Sequence, residues 1–168
     1  AARDCLTGVD RATVAGLTLA STTLPFADRL NAGVVKEALT LSDATAAGDA
    51  AGSLRAGSSA LLQALGTRDT RLVIAADRRL AKPGTEAEMN TGDAAAAMLV
   101  GQGDVIARYI GGHSVTVDFV DHFRSSGAES DYAWESRWIR DEGYAAILGT
   151  ALKDALAKLA VDAAQINH

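Results

Sequence analysis

The sequence predicts an α/β fold built on a largely parallel sheet with helices packed against it. Three observations carry this. Apolar runs of strand length, bounded by turn residues or charges, occupy residues 14–21 and 71–76. Helix-forming amphipathic stretches lie between them, at 29–39 and from Leu54 to Gly66. The resulting order of strand, helix, strand, helix, strand calls for right-handed crossovers, which lay the strands parallel.

Each element has its own signal. Residues 1–8 read as a helix end capped by Gly8, with Cys5 on it as a small buried side chain. The run V-A-G-L-T-L-A-S at 14–21 is a strand, and 22–27 a loop holding Pro25 and Phe26. Asp28 is a good N-cap for a helix over 29–39, with Leu30, Val34, Val35 and Ala38 on one face. Residues 43–49 read as a strand-like link. Leu54, Leu61, Leu62 and Leu65 then recur at near-helical spacing, and Gly66 is a stop signal. R-L-V-I-A-A at 71–76, continuous and flanked by charges, reads as a buried strand. A long polar loop covers 77–92. Arg78, Arg79 and Lys82 make it locally basic, which suits a phosphate contact or, more economically, a solvated loop. Two strand-like runs, 94–100 and 105–110, are joined by G-Q-G-D and predict an antiparallel hairpin. Four consecutive alanines, Ala94 to Ala97, suit close packing there. Residues 111–132 are irregular, 134–141 amphipathic and aromatic, and 144–159 helical. Ile147, Leu148, Ala151, Leu152, Ala155, Leu156 and Leu159 form the apolar face of that last helix. Residues 162–168 read as a turn leading into a strand that is not present.

Composition bounds the function. The protein has 168 residues, 48% hydrophobic and 22% charged, enough to bury a core and too apolar for a disordered polypeptide. A net charge of −5 argues against nucleic acid as partner, since phosphate binding needs a basic face, though a local basic pocket remains compatible with it. Cys5 is the single cysteine, which rules out an intrachain disulfide framework and a Cys-rich zinc site and is compatible with a cytoplasmic location. No run of 18 apolar residues predicts a membrane span. The sequence starts without Met and ends abruptly at Q-I-N-H, as if both ends were cuts in something longer. His113 and His122 lie among Asp118, Asp121 and Arg124. Their spacing matches no strong metal-ligand pattern, and a Ser/His/Asp triad is not recognisable from order alone, so both are read as surface or structural histidines and no metal is expected.

The most informative stretch is 49–66, D-A-A-G-S-L-R-A-G-S-S-A-L-L-Q-A-L-G. A polar loop with Asp49, Gly52 and Ser53 runs straight into a helix. A helix start offers free N–H groups and partial positive charge, a good place for an anionic nucleophile or a bound anion. Leu54, at that turn, can be neither. The segment G-S-L-R-A-G-S-S-A-L-L-Q-A resembles the nucleophile loop and helix of the thiolase superfamily, most closely the hydroxymethylglutaryl-CoA synthase branch, where the pattern runs roughly G-S-C-[KR]-A-G-[ST]-x-A. Arg55, Ala56, Gly57, Ser58 and Ala60 fall on that pattern, and Leu54 stands where the family has its Cys. Further segments resemble the family in the same order: P-F-A-D-R-L at 25–30, R-L-V-I-A-A-D-R-R-L-A-K-P-G at 71–84, T-G-D-A-A-A-A-M-L-V-G at 91–101, H-S-V-T-V-D-F-V-D-H-F-R at 113–124 and W-E-S-R-W-I-R-D-E-G-Y-A-A-I-L at 134–148.

The resemblance implies a thiolase-like fold, a mixed sheet with helices on both faces, here an incomplete part of a two-half architecture. Residues 1–124 would be the first half without its N-terminal part, and 125–168 the start of the second. It implies a CoA thioester as substrate, no permanently bound cofactor, and a homodimer or a pairing with a homologous subunit. In the synthases a Cys takes the acetyl group from acetyl-CoA, a Glu helps generate the attacking carbanion, and a His assists; splitting the reaction through a covalent intermediate lowers its barrier. With Leu54 at the Cys position, no catalytic residue can be placed. The residues contacting CoA are unassigned. The His region would lie beyond His168, which is not given the role, and the Glu region before Ala1 or altered. Two functions stay open: an acyl-CoA condensing protein of the transferase class without the usual nucleophile, or a non-catalytic CoA-thioester-binding or structural subunit that pairs with a catalytic homologue. An incomplete fold should also leave a sheet edge and a helix face uncovered.

Overall fold

The computed structural model describes residues 1–166. These form two compact units, one of Ala1–Arg79 with Glu86–Ala107, the other of Leu80–Thr85 with the described residues from Arg108 on. Residues 167 and 168, His168 among them, lie outside the described residues; the turn expected over 162–168 is present in its described part as a single 3-10 turn, Ala163–Gln165.

The first unit is a four-stranded mixed sheet. Its strands are β1 (Gly16–Ala20), β2 (Ala46–Ala50), β3 (Arg71–Asp77) and β4 (Ala94–Val100), in the order β2-β1-β3-β4. β1 pairs parallel with both β2 and β3, whereas β4 runs antiparallel to β3. The helices are α1 (Ala2–Cys5), α2 (Asn31–Ala38), α3 (Ala56–Leu65) and the short α4 (Glu86–Asn90). The α2 crossover steps one way along the sheet and the α3 crossover steps back past β1. With both crossovers right-handed, opposite directions put the two helices on opposite faces. The cores show this. Leu17 and Leu19 of β1, with Leu72 and Ile74 of β3, bury under α2 with Leu6, Val14, Ala32, Leu39 and Leu41. Ala20 and Val73 bury under α3 with Ala56, Ala60 and Ala64. Side chains alternate between sheet faces, so neighbouring residues of one strand feed the two cores. The four-residue spacing of the α3 alanines lays a smooth stripe on the sheet, and Gly57 lets the helix approach until an added Cβ would stand 3.3 Å from that of Ala75.

Three expectations are corrected. The start of α2 is Asn31, not Arg29, and Asp28 does not cap it. The cap comes from Asp49, eighteen residues on: Oδ1 accepts from the Ala32 N–H at 2.6 Å and Oδ2 from the Asn31 N–H at 2.9 Å. A carboxylate arriving from β2 supplies both the acceptor and the negative charge that a helix start favours. Nor do residues 105–110 pair with β4; they form no strand, and β4 finds its antiparallel partner in β3. Finally, Cys5 is half-buried against the α2-side core and not fully inside it. At the far end of α2, the Arg11 guanidinium donates to the Leu39 carbonyl at 2.8 Å and so satisfies an acceptor of the last turn, beside Thr40, which adopts φ +52°.

The second unit holds a two-stranded antiparallel ribbon, β5 (His122–Phe123) and β6 (Tyr132–Ala133), and a long helical run. That run begins as α5 (Ser136–Trp138), passes through a π-helical stretch, Ile139–Tyr144, and continues as α6 (Ala145–Leu159) to Ala160 in left-handed geometry. Glu135 caps its start by accepting from the Arg137 and Trp138 N–H groups. Trp134 and Trp138, of the aromatic stretch expected at 134–141, lie 5.7 Å apart, and Phe119 stacks on Trp138 at 4.8 Å. Gly143, inside the π stretch, is buried against Phe119, and a side chain there would collide with the ring. On α6 the expected apolar face is only half realised: Leu148 and Leu152 stay exposed.

The packing can be tested at two positions. Ala60→Leu should overfill the α3 side of the sheet and cost about 1–3 kcal/mol in urea unfolding; an unchanged midpoint would contradict the close approach. For Asp49, burial pushes the pKa up, but the hydrogen bonds from Asn31 and Ala32 outweigh this and hold it below the ordinary carboxylate value. The unfolded state therefore binds more protons around that value, so this contribution is present above about pH 5 and fades as pH falls through the folded pKa. Asp49→Asn should cost about 1 kcal/mol at neutral pH, a figure kept small because the side chain is partly solvated, and should flatten acid destabilisation.

Candidate functional site

The carboxyl ends of the three parallel strands lie on one edge of the sheet, Ala20 opposite Ala50 on one side and Ala75 on the other. In open α/β sheets ligands bind outside this edge. Two features stand there, each built by a loop that leaves a strand.

The first is the turn after β2. Gly52 takes φ +94°, a left-handed geometry that favours glycine, and throws the backbone into Ser53–Arg55 and then α3. Ser53 tightens the turn: its Oγ accepts from the Arg55 N–H at 3.3 Å, and its carbonyl from the Ala56 N–H at 3.0 Å. Leu54 sits on this turn directly before the helix and is 52% exposed. The predicted loop-to-helix start is therefore present, with Leu54 offering an apolar side chain to solvent. It can neither attack a carbonyl nor hold a charge. The helix start beside it remains a positive end that suits an anionic or polarised oxygen.

The second is the loop after β1, which the sequence reading did not single out. Asp77, the last residue of β3, receives four hydrogen bonds on Oδ1: from the Thr22 N–H at 2.7 Å and from the Ser21, Thr22 and Thr23 hydroxyls, each at 3.0 Å. The Ser21 Oγ accepts from the Thr23 N–H in turn, and the Thr23 Oγ1 from the Arg78 N–H. Burial raises the Asp77 pKa, but these donors more than offset it, and the carboxyl stays below the ordinary carboxylate value. Asp77 is thus an ionised anchor and a poor general base near neutral pH. Its signal is the S-T-T run at one strand end facing an Asp at another, visible only once the two strands are known to be neighbours. Beside it lies a cavity of about 330 Å³ on the α2 face, floored by Leu19 and Ala76 and walled by Val34, Val35, Leu24, Pro25 and Phe26, with Thr23, Asp77 and Arg78 also lining it.

The histidines take local partners in the second unit. The His122 Nδ1 lies 2.7 Å from Asp121, which also accepts the Tyr144 hydroxyl at 2.6 Å, and His113 lies 3.8 Å from Asp154. Burial raises the Asp121 pKa, but the Tyr144 and His122 hydrogen bonds bring it below the ordinary value. Among the described residues, no three His, Cys, Asp or Glu side chains gather as a metal site would require.

No protein-family model matches this sequence, and no curated protein matches it. Solved structures do match its architecture. MvaS in complex with 3-hydroxy-3-methylglutaryl coenzyme A superposes with a TM-score of 0.77 at 21% identity, over 95% of this chain and 39% of MvaS. Xanthomonas campestris OleA with bound lauric acid and lauroyl-CoA gives 0.77 at 18%, over 100% of this chain and 58% of OleA. A 3-oxoacyl-(acyl-carrier-protein) synthase III gives 0.72 at 16%, over 99% and 60%. The fold is thiolase-like. At these identities the likeness concerns the fold, and the present sequence spans less than two thirds of each of these proteins. No helix among the described residues is long and apolar enough to cross a membrane.

Asp77→Ala would strand the donors of residues 21–23. It should cost about 1–3 kcal/mol in chemical unfolding and raise amide exchange in that loop; unchanged exchange at Thr22 and Thr23 would show that the carboxylate does not hold them.

Proposed function

We propose that this protein handles acyl thioesters of coenzyme A on a condensing-enzyme frame of the hydroxymethylglutaryl-CoA synthase type, without forming an acyl-enzyme at residue 54. The observation that carries this reading is Leu54 itself, an exposed apolar side chain on the turn before α3, where the motif resemblance places the family's Cys. A thioester bound there would meet the N–H end of α3, which can polarise its carbonyl oxygen, but no nucleophile to attack it. Two roles share this geometry: a reaction that uses the polarised thioester directly, as a transferase would, and a CoA-thioester-binding subunit paired with a catalytic homologue. Leu54 favours the second, because it fills the reacting position with hydrocarbon. In either role the protein works as a dimer or in a pair with a related subunit, in the cytoplasm, with residues 1–124 and 125–168 belonging to the two halves of a thiolase-like protein. MvaS complexed with its CoA ester and OleA with lauroyl-CoA support the substrate class.

The test is intact mass after incubation with acetyl-CoA, for the natural protein and for Leu54→Cys. The natural protein should gain nothing at residue 54, while the variant should gain one acetyl group that hydroxylamine removes. Acetylation of the natural protein within the 49–66 peptide would overturn the reading. A Leu54→Cys variant that folds but reacts no faster than a surface thiol would overturn the placement of the site.

A further inference from the structure

We propose that the cavity on the α2 face binds a medium-length fatty acid as its carboxylate, at a site separate from the Leu54 turn. At about 330 Å³ it reaches the lower end of the roughly 300–1,000 Å³ typical of small-molecule sites. Its inner surface is hydrocarbon, with Leu19 as floor and Val34 and Val35 as wall, so it rewards an alkyl tail. The charges around it select the head group. Arg78 lines the cavity and is exposed. A second guanidinium, that of Arg29, lies 4.8 Å from the ring centre of Phe26, another lining residue. The acidic lining group, Asp77, is ionised, but its Oδ1 is tied to its own loop by four donors, and the two guanidiniums outnumber it. Hydrocarbon walls with two cations at the edge fit an anionic amphiphile better than a neutral or cationic one. The cavity opens on the face opposite α3, so it stands independently of the thioester reading and involves no CoA.

The experiment is a titration of the ¹⁵N-labelled 168-residue protein with sodium decanoate below its micelle concentration, with decylamine hydrochloride as the charge-reversed control. Saturable shifts at the Thr23, Val34, Val35 and Arg78 amides are expected, with weaker binding of decylamine. Val34→Trp, which fills the cavity from an exposed wall position, should abolish the shifts. Arg78→Glu should weaken decanoate about fivefold, and this variant decides the matter if Val34→Trp does not fold. Equal affinity for the amine, shifts centred outside the cavity, absence of saturable binding, or a folded Val34→Trp that binds as the natural protein does would each overturn the proposal.

Discussion

The structure depends on one carboxylate. Asp49, near the end of β2, holds the first two N–H groups of α2, and its Oδ2 also accepts from the Asn31 Nδ2 at 3.0 Å. Asn31 is buried and passes the constraint on. Its Oδ1 accepts from the Phe26 N–H, and its Nδ2 donates to the Phe26 and Arg29 carbonyls. A buried amide is tolerated when its donors and acceptor are all engaged. Through this pair, the helix start, the loop after β1 and the end of β2 become one rigid corner. Three residues beyond Asp49, Gly52 begins the turn that carries Leu54, so that turn departs from a fixed point.

The two faces of the sheet then divide the work. On one, α3 lies close because its contact stripe is Ala56, Ala60 and Ala64 with Gly57, so its positive end is delivered beside the strand ends. On the other, α2 packs on Leu17, Leu19, Leu72 and Ile74, and between that helix and the loop after β1 a cavity remains. Asp77 ties this second loop to β3 with donors from three consecutive residues. At this edge a helix end and cradled loops present N–H groups and hydroxyls, while residue 54 contributes only hydrocarbon.

Much of this is legible in the sequence. The apolar run at 71–76, the helix ending before Gly66 and the small-residue pattern from Gly52 to Ala60 each reflect a local rule, and each element lies where its rule puts it. The failures share a cause. Local capping rules assign the N-cap of α2 to Asp28, whereas Asp49 reaches the same N–H groups from a neighbouring strand. The 94–110 hairpin is absent: G-Q-G-D has turn chemistry, but residues 105–110 form no strand, and the antiparallel partner of β4 is β3, with seven residue pairs in register. The Asp77 anchor and the cavity are contacts between residues more than fifty positions apart, which no pattern in one stretch encodes. The apolar periodicity of α6 is genuine, yet Leu148 and Leu152 stay exposed among the described residues, because periodicity marks a face without saying what covers it.

The central claim is that a CoA thioester meets this protein at the turn before α3 and leaves it unmodified. The most direct measurement is a titration of the labelled protein with a non-hydrolysable thioether analogue of acetyl-CoA, followed by amide shifts. Saturable perturbation centred on Gly52–Ala56 is the predicted result. Absence of binding, or perturbation confined to other residues, would contradict the account.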